Sequence, residues 1–232
     1  MVAACGRGQE GDAAEPAPRE QPELELAADA SEGEYVEYGE LGEAPADEPQ
    51  FRAKVILVPL RSFPDDLLDT VEHALIDELD VQVERHAVVE LPDEAFYAPR
   101  KRYRAEKLLD FLDQYATDPD AKVLGLTEVD ISTTGDTAPD WGIFGLGTVG
   151  GTAAVISSYR LKRRPKNREH VRFRVSNVAV HEVGHTFGLQ HCDEQAVECV
   201  MIDAEGGIEN TDRSSGTFGP GCRKLLDSLA PL

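Results

Sequence analysis

Residues 181 to 192 read HEVGHTFGLQHC, and this stretch restricts what the chain can become more than any other. His181 and His185 are four apart, which on a helix puts both imidazoles on one face. Gly188 supplies the residue type that ends helices in the left-handed conformation. A turn there brings His191 back toward the first two rings. The pattern therefore predicts a long helix from about Arg168 to Gly188, a sharp reversal, and three nitrogens aimed at one point. Three protein ligands on zinc leave a fourth position for water, which separates a hydrolytic site from a closed structural one. Zinc lowers the pKa of such a water toward ~7, and Glu182 is placed to take its proton as it attacks a carbonyl. A bare HExxH could be two solvated histidines beside a solvated glutamate; the added Gly188 and His191 make that reading poor. Met201 is the only methionine after Met1 and lies ten residues past His191. On its own it would be a soft apolar filler.

The full string, HExxHxxGxxHC followed by Cys199-Val200-Met201, resembles the archaemetzincin family of zinc metallopeptidases, in the metzincin clan. Weaker similarity runs upstream through AKVLGLTEVDIS, WGIFGLGTVGG and TAAVISSYRL, so it spans roughly residues 53 to 228. The resemblance implies a peptide or protein substrate, catalytic zinc on His181, His185 and His191, Glu182 as general base, and structural support from Gly188 and Met201. It also implies an α+β, zincin-like fold over residues 51–232. In that fold, helices pack on a mixed, mostly parallel five-stranded sheet over residues 51–191, and residues 192–232 form a small subdomain.

That family carries a second zinc on four cysteines, the last two in a CxxC pair. Here the interval from Met201 lands on Gly219 and Cys222, so one thiol is replaced, and the Cys192–Cys199 spacing is longer than the family's usual one. Cys192, Cys199 and Cys222 could hold zinc with water or a carboxylate such as Asp193 completing the shell. Two of them could instead form a disulfide and leave one thiol over, or all three could be small buried residues.

Charge is distributed unevenly. Of the net −21, residues 1–50 carry −12, with 14 Asp/Glu against 2 Lys/Arg. That segment is poor in large apolar residues and cannot offset its chain entropy by burial, so it is expected to be a disordered tail. The acidic surplus argues against nucleic acid as a partner. Val2-Ala3-Ala4-Cys5 resembles a bacterial lipobox, although the basic and apolar stretches that normally precede one are not among these residues. A lipid on Cys5 and a polar tether would place the domain outside the cytoplasm; otherwise a cytoplasmic location is expected. No apolar run approaches the ~20 residues that span a bilayer. Residues 160–174 hold eight Lys/Arg and one Glu, a solvated basic face or a patch on which the acidic tail folds back.

From residue 51 the pattern is globular. Strands are expected at Lys54–Leu60, Val81–Leu91, Lys122–Ser132, Trp141–Leu146 and Ala153–Tyr159, and helices at about 65–79, 102–116 and 223–229. The order βαβαβ-β-β-α suggests a mostly parallel sheet with one reversed strand. By the resemblance, Gly142–Gly147 is the reversed edge strand that lines the cleft and pairs with extended substrate. Glu128 and Asp130 are guesses for an anchor of a substrate amine; His73, His86 and His170 receive no role.

The sequence thus reads as a monomeric zinc metallopeptidase that cleaves peptide bonds. The alternative is a non-catalytic zinc-binding surface lipoprotein, and Glu182 argues against it because a metal-only site has no need of that carboxylate.

Overall fold

A computed structural model describes residues 51–134, 140–192, 199–204 and 207–229. In chain order the elements are β1 (Lys54–Pro59), α1 (Asp65–Leu79), β2 (Gln82–Arg85), β3 (Phe96–Tyr97), β4 (Arg102–Arg104), α2 (Ala105–Leu112), β5 (Lys122–Thr127), β6 (Ile131–Thr133), β7 (Trp141–Ile143), β8 (Gly145–Gly147), β9 (Ala153–Ser157), α3 (Ser158–Leu161), α4 (Arg168–Thr186), α5 (Ile208–Arg213) and α6 (Pro220–Asp227). The acidic residues 1–50 with Cys5, and Asp193, lie outside the described residues.

The main sheet has the order β2-β1-β5-β9-β8. Its first four strands are parallel, and β8 runs antiparallel to β9 at the edge. This is the expected α+β arrangement, a mixed and mostly parallel five-stranded sheet. Its central strands are apolar on both faces, as a sheet covered on two sides requires. Along β1, Val55 and Leu57 point into one apolar cluster while Ile56 and Val58 point into the other. Leu124 and Leu126 of β5 and Ile156 of β9 join the first cluster, and Val123 and Val155 join the second.

The first cluster is closed by α1 and α4. Leu67, Val71 and Leu75, spaced along one face of α1, are fully buried there with Val175 and Ala179 of α4. Each leucine or valine so buried contributes ~1.5–3 kcal/mol. Asn167 caps α4: its Oδ1 accepts the His170 N–H at 2.8 Å. Asp66 on the first turn of α1 then receives Arg168 at 2.8 Å and Arg172 at 3.1 Å from the first turns of α4. The Arg168 hydrogen bond, followed by Arg172, holds its carboxyl down at about 2. Residues after His191 share this cluster: Cys199, Val200, Met201, Phe218, Cys222 and Leu226 are buried in it.

Several boundaries differ from expectation. The second strand stops at Arg85, and His86 lies beyond it with its ring 4.9 Å from Tyr115. Arg102–Arg104 is a strand rather than the start of a helix; α2 begins at Ala105 and a 3-10 turn at Asp113–Tyr115 follows it. The third strand breaks after Thr127, and the fourth breaks at Phe144. The pieces β6 and β7 enter a separate four-stranded sheet, β3-β4-β6-β7, which was not anticipated. The antiparallel edge strand of the main sheet is accordingly Gly145–Gly147 rather than the whole of 142–147, although Ile143 and Phe144 line the cleft with it. The motif helix ends at Thr186, and α5 precedes α6 in a region where one helix was expected.

Candidate active site

The end of α4 shows how the motif builds its geometry. Gly188 has φ +90°. Its N–H donates to the His185 carbonyl at 2.8 Å, and the Leu189 N–H donates to Gly184 at 3.2 Å. This pair of bonds is a Schellman ending, which needs a left-handed residue where Gly188 stands. The chain turns back, and the His191 ring reaches 5.3 Å from His181 and 4.9 Å from His185 between centroids. One donor atom from each of the three residues falls within 4.8 Å of the others.

The imidazoles are oriented as well as gathered. His181 Nδ1 lies 2.8 Å from the Val200 carbonyl and His185 Nδ1 lies 2.7 Å from the Leu189 carbonyl. A carbonyl only accepts, so Nδ1 carries the proton in both rings and Nε2 keeps its lone pair. The two Nε2 atoms face each other at 3.1 Å. Two Zn–N bonds of ~2.0–2.1 Å at a tetrahedral angle would separate the nitrogens by roughly 3.3 Å, so the pair fits a shared zinc. Burial, then the neighbouring His185, depresses His181 to about 4, and burial also lowers His185. Both are therefore neutral near pH 7, the state a metal ligand needs.

Glu182 is 8% exposed and sits where α4 meets the edge strand β8. Burial above all, then Asp203, pushes its carboxyl up to about 8, against a hydrogen bond from the Gly147 N–H that lowers it. The two glycines of β8 permit this contact. A Cβ at Gly145 would lie 2.6 Å from Glu182 Cγ, and one at Gly147 would strike the Glu182 carbonyl. Met201 is fully buried under the helix, and a Cβ on Gly184 would come 2.8 Å from its sulfur. It packs against the turn of α4 between the two helical histidines. A cleft of about 500 Å³ opens over these residues, walled by Phe144–Gly147 on one side and by Val178, His181 and Glu182 on the other.

Cys192, Cys199 and Cys222 also come together, with their sulfurs within 4.8 Å of one another, and none is in a disulfide. Cys199 Sγ accepts the Gly219 N–H at 3.1 Å and the Met201 N–H at 3.4 Å. Gly219 thus brings a backbone donor to the place where the resemblance called for a fourth thiol. Burial, then the Cys199 and Cys192 thiols, pushes Cys222 up to about 12. The Cys222 thiol keeps its proton until a metal displaces it.

Other sequence candidates fall elsewhere. Asp130 is held by Arg160 at 2.7 Å and Arg102 at 2.9 Å, and Glu128 by Lys162, and neither lines the cleft. The basic stretch is largely paired too: Arg160, Lys162, Arg168, Arg172 and Arg174 each meet a carboxylate. His170 faces Asp212 at 2.8 Å. Sequence reasoning missed Asp203, whose carboxylate lies 3.4 Å from His191 Nδ1 and lines the cleft. No motif marks it. The close approach at Gly145 and Gly147 was foreshadowed by glycine recurring inside a strand pattern.

The sequence pattern of peptidase family M54 matches residues 61–228, most of the chain. The chain belongs to peptidase family M54. It is 32% identical to the archaemetzincin of Haloquadratum walsbyi, over 74% of this chain and 98% of that one. The archaemetzincin of Pyrococcus abyssi is 31% identical over 75% of this chain and 93% of its own. Among solved structures, the archaemetzincin of Methanopyrus kandleri superposes with a TM-score of 0.65 at 32% identity, covering 76% of this chain and 94% of that one. The Archaeoglobus fulgidus archaemetzincin, solved with malonate, gives 0.63 at 28% identity over 74% and 99%. The chain is therefore an archaemetzincin-like zinc metallopeptidase, and its substrates are peptides or proteins.

Proposed function

We propose that His181, His185 and His191 bind the catalytic zinc of this M54 peptidase and that Glu182 is its general base. Zinc held by three nitrogens supplies Lewis acidity, polarising the scissile carbonyl and acidifying a water. Glu182 handles the proton: its carboxylate takes it from the attacking water and returns it to the leaving amine. The free edge of β8 offers backbone donors and acceptors to an extended peptide, which would join the sheet as a further strand over the cleft. Cys192, Cys199 and Cys222 are proposed as a second metal site, supported by their convergence and by the two N–H donors on Cys199.

The observation that carries this reading is the placement of Glu182 in the cleft beside His181 and His185, pinned by α4 and β8. It is tested by Glu182→Gln, which keeps the side chain's size. Zinc content should equal wild type while peptide hydrolysis falls about 10²- to 10⁴-fold. Full activity with zinc retained would remove Glu182 as base.

A further inference from the structure

The three histidines differ in how their second nitrogen is held. His181 and His185 stand on α4 and donate to main-chain carbonyls, partners fixed by the fold itself. His191 lies past the helix end, on the exposed limb of the reversal, with its side chain 47% accessible. Among the described residues, the acceptor facing its Nδ1 is the Asp203 carboxylate, 3.4 Å away. The main chain of Asp203 is held in turn by Asn210 of α5, whose amide donates to the Asp203 carbonyl at 3.0 Å.

We propose that Asp203 is the positioning residue for the third zinc ligand, its carboxylate accepting the His191 Nδ1–H so that Nε2 points to the metal. An exposed imidazole is free to rotate about two torsions, and an orienting partner removes that freedom before the metal arrives. A carboxylate partner does more than a carbonyl, because it makes the ring a stronger donor and places a negative charge near the cation. The chain thus secures its two helical ligands with backbone and its one loop ligand with a charge. Asp203 also lines the cleft, which raises a rival role as a contact for a cationic part of the substrate.

The inference rests on the three-histidine zinc reading, and the test separates the two. Dissociation constants for zinc and cobalt are measured by chelator competition on wild type, Asp203→Ala, Asp203→Glu, His191→Ala and the Asp203→Ala/His191→Ala double variant. Visible cobalt bands report the histidine site, and thiolate charge-transfer bands report the cysteines separately. Asp203→Ala should weaken the histidine site about 10- to 100-fold and alter its cobalt spectrum, with the thiolate bands unchanged. Asp203→Glu should recover most of the affinity. In the His191→Ala background the Asp203 change should cost nothing further, an outcome a general structural role would not give. Wild-type affinity and spectrum in Asp203→Ala, with only KM raised, would overturn the inference in favour of substrate contact. Failure of wild type to bind metal at the histidines would overturn the zinc reading and this inference with it.

Discussion

His181, His185 and His191 converge on the wall of a cleft, whereas Cys199 and Cys222 lie in the apolar core with the half-buried Cys192 packed against it. The two clusters are interleaved in the chain. Cys192 follows His191 directly, and Val200, whose carbonyl holds His181, sits between Cys199 and Met201. Their surroundings nevertheless differ in every respect that matters to chemistry. The histidines bring nitrogen donors together with a buried carboxyl and open space beside them, so an ion there has room for a reactant. The cysteines have Cys199 fully buried and Cys222 7% exposed, with backbone N–H groups aimed at sulfur. A metal in that cluster would brace the fold. The contrast teaches that chain neighbours can face different clusters: His191 joins the histidines while Cys192 joins the thiols, and the Val200 carbonyl meets His181 while Cys199 lies with the thiols.

The comparison can be broken at the cysteines first, where the expected effect on stability is largest. Cys199→Ser should remove metal from that cluster and destabilise the protein by about 4 kcal/mol or more, the range seen when a structural metal is lost. Denaturant unfolding with and without added zinc would read this. If zinc changes neither wild type nor variant, the three thiols are only core residues.

The next effect is on the reactive side. Gly145→Ala would put a methyl group 2.6 Å from Glu182 Cγ, so the carboxylate must move while the histidines stay in place. Displacing a reacting group by about an ångström costs up to ~10²-fold in rate. A fall in kcat of that order with zinc content unchanged is expected; an unaltered kcat would mean that β8 does not set the position of the base.

The smallest effect concerns neither cluster and serves as the control. Asp66 joins α1 to α4 through Arg168 and Arg172, and these hold its carboxyl at about 2 against an ordinary 3.8. A carboxyl lowered on folding contributes stability above about pH 4 and loses it as pH falls toward 2. Asp66 is partly exposed, so solvent screening limits the pair to ~1 kcal/mol or less. Asp66→Asn should flatten acid unfolding between pH 4 and 2 and leave both metal contents alone. A loss of zinc in this variant would show that the α1–α4 contact reaches the site.

The site was more legible in the sequence than the fold around it. The spacing of His181, His185, Gly188 and His191 encodes helix, turn and convergence at once, because each position has its own stereochemical demand. The apolar runs of β1, β5 and β9 were equally plain. By contrast, β3, β4, β6 and β7 are two or three residues long, too short to show a period of two. Trp141–Leu146 looked continuous because nothing local reveals that the chain changes sheets at Phe144. Asp203 was invisible for a related reason: its partner is His191, and only the tertiary fold brings them together. Cys222 was picked out with Cys192 and Cys199 by the resemblance alone, because Gly219 breaks the CxxC pair; the fold is what shows the three sulfurs together.

The most direct measurement follows zinc per chain and peptidase rate together while a chelator is titrated into the full-length protein. The histidine zinc, open to the cleft, should leave first, and the rate should fall to background as that equivalent is lost while the cysteine-held zinc remains. Hydrolysis that persists after the histidine zinc has gone, or that vanishes only when the cysteine-held metal leaves, would contradict the assignment of chemistry to one cluster and structure to the other.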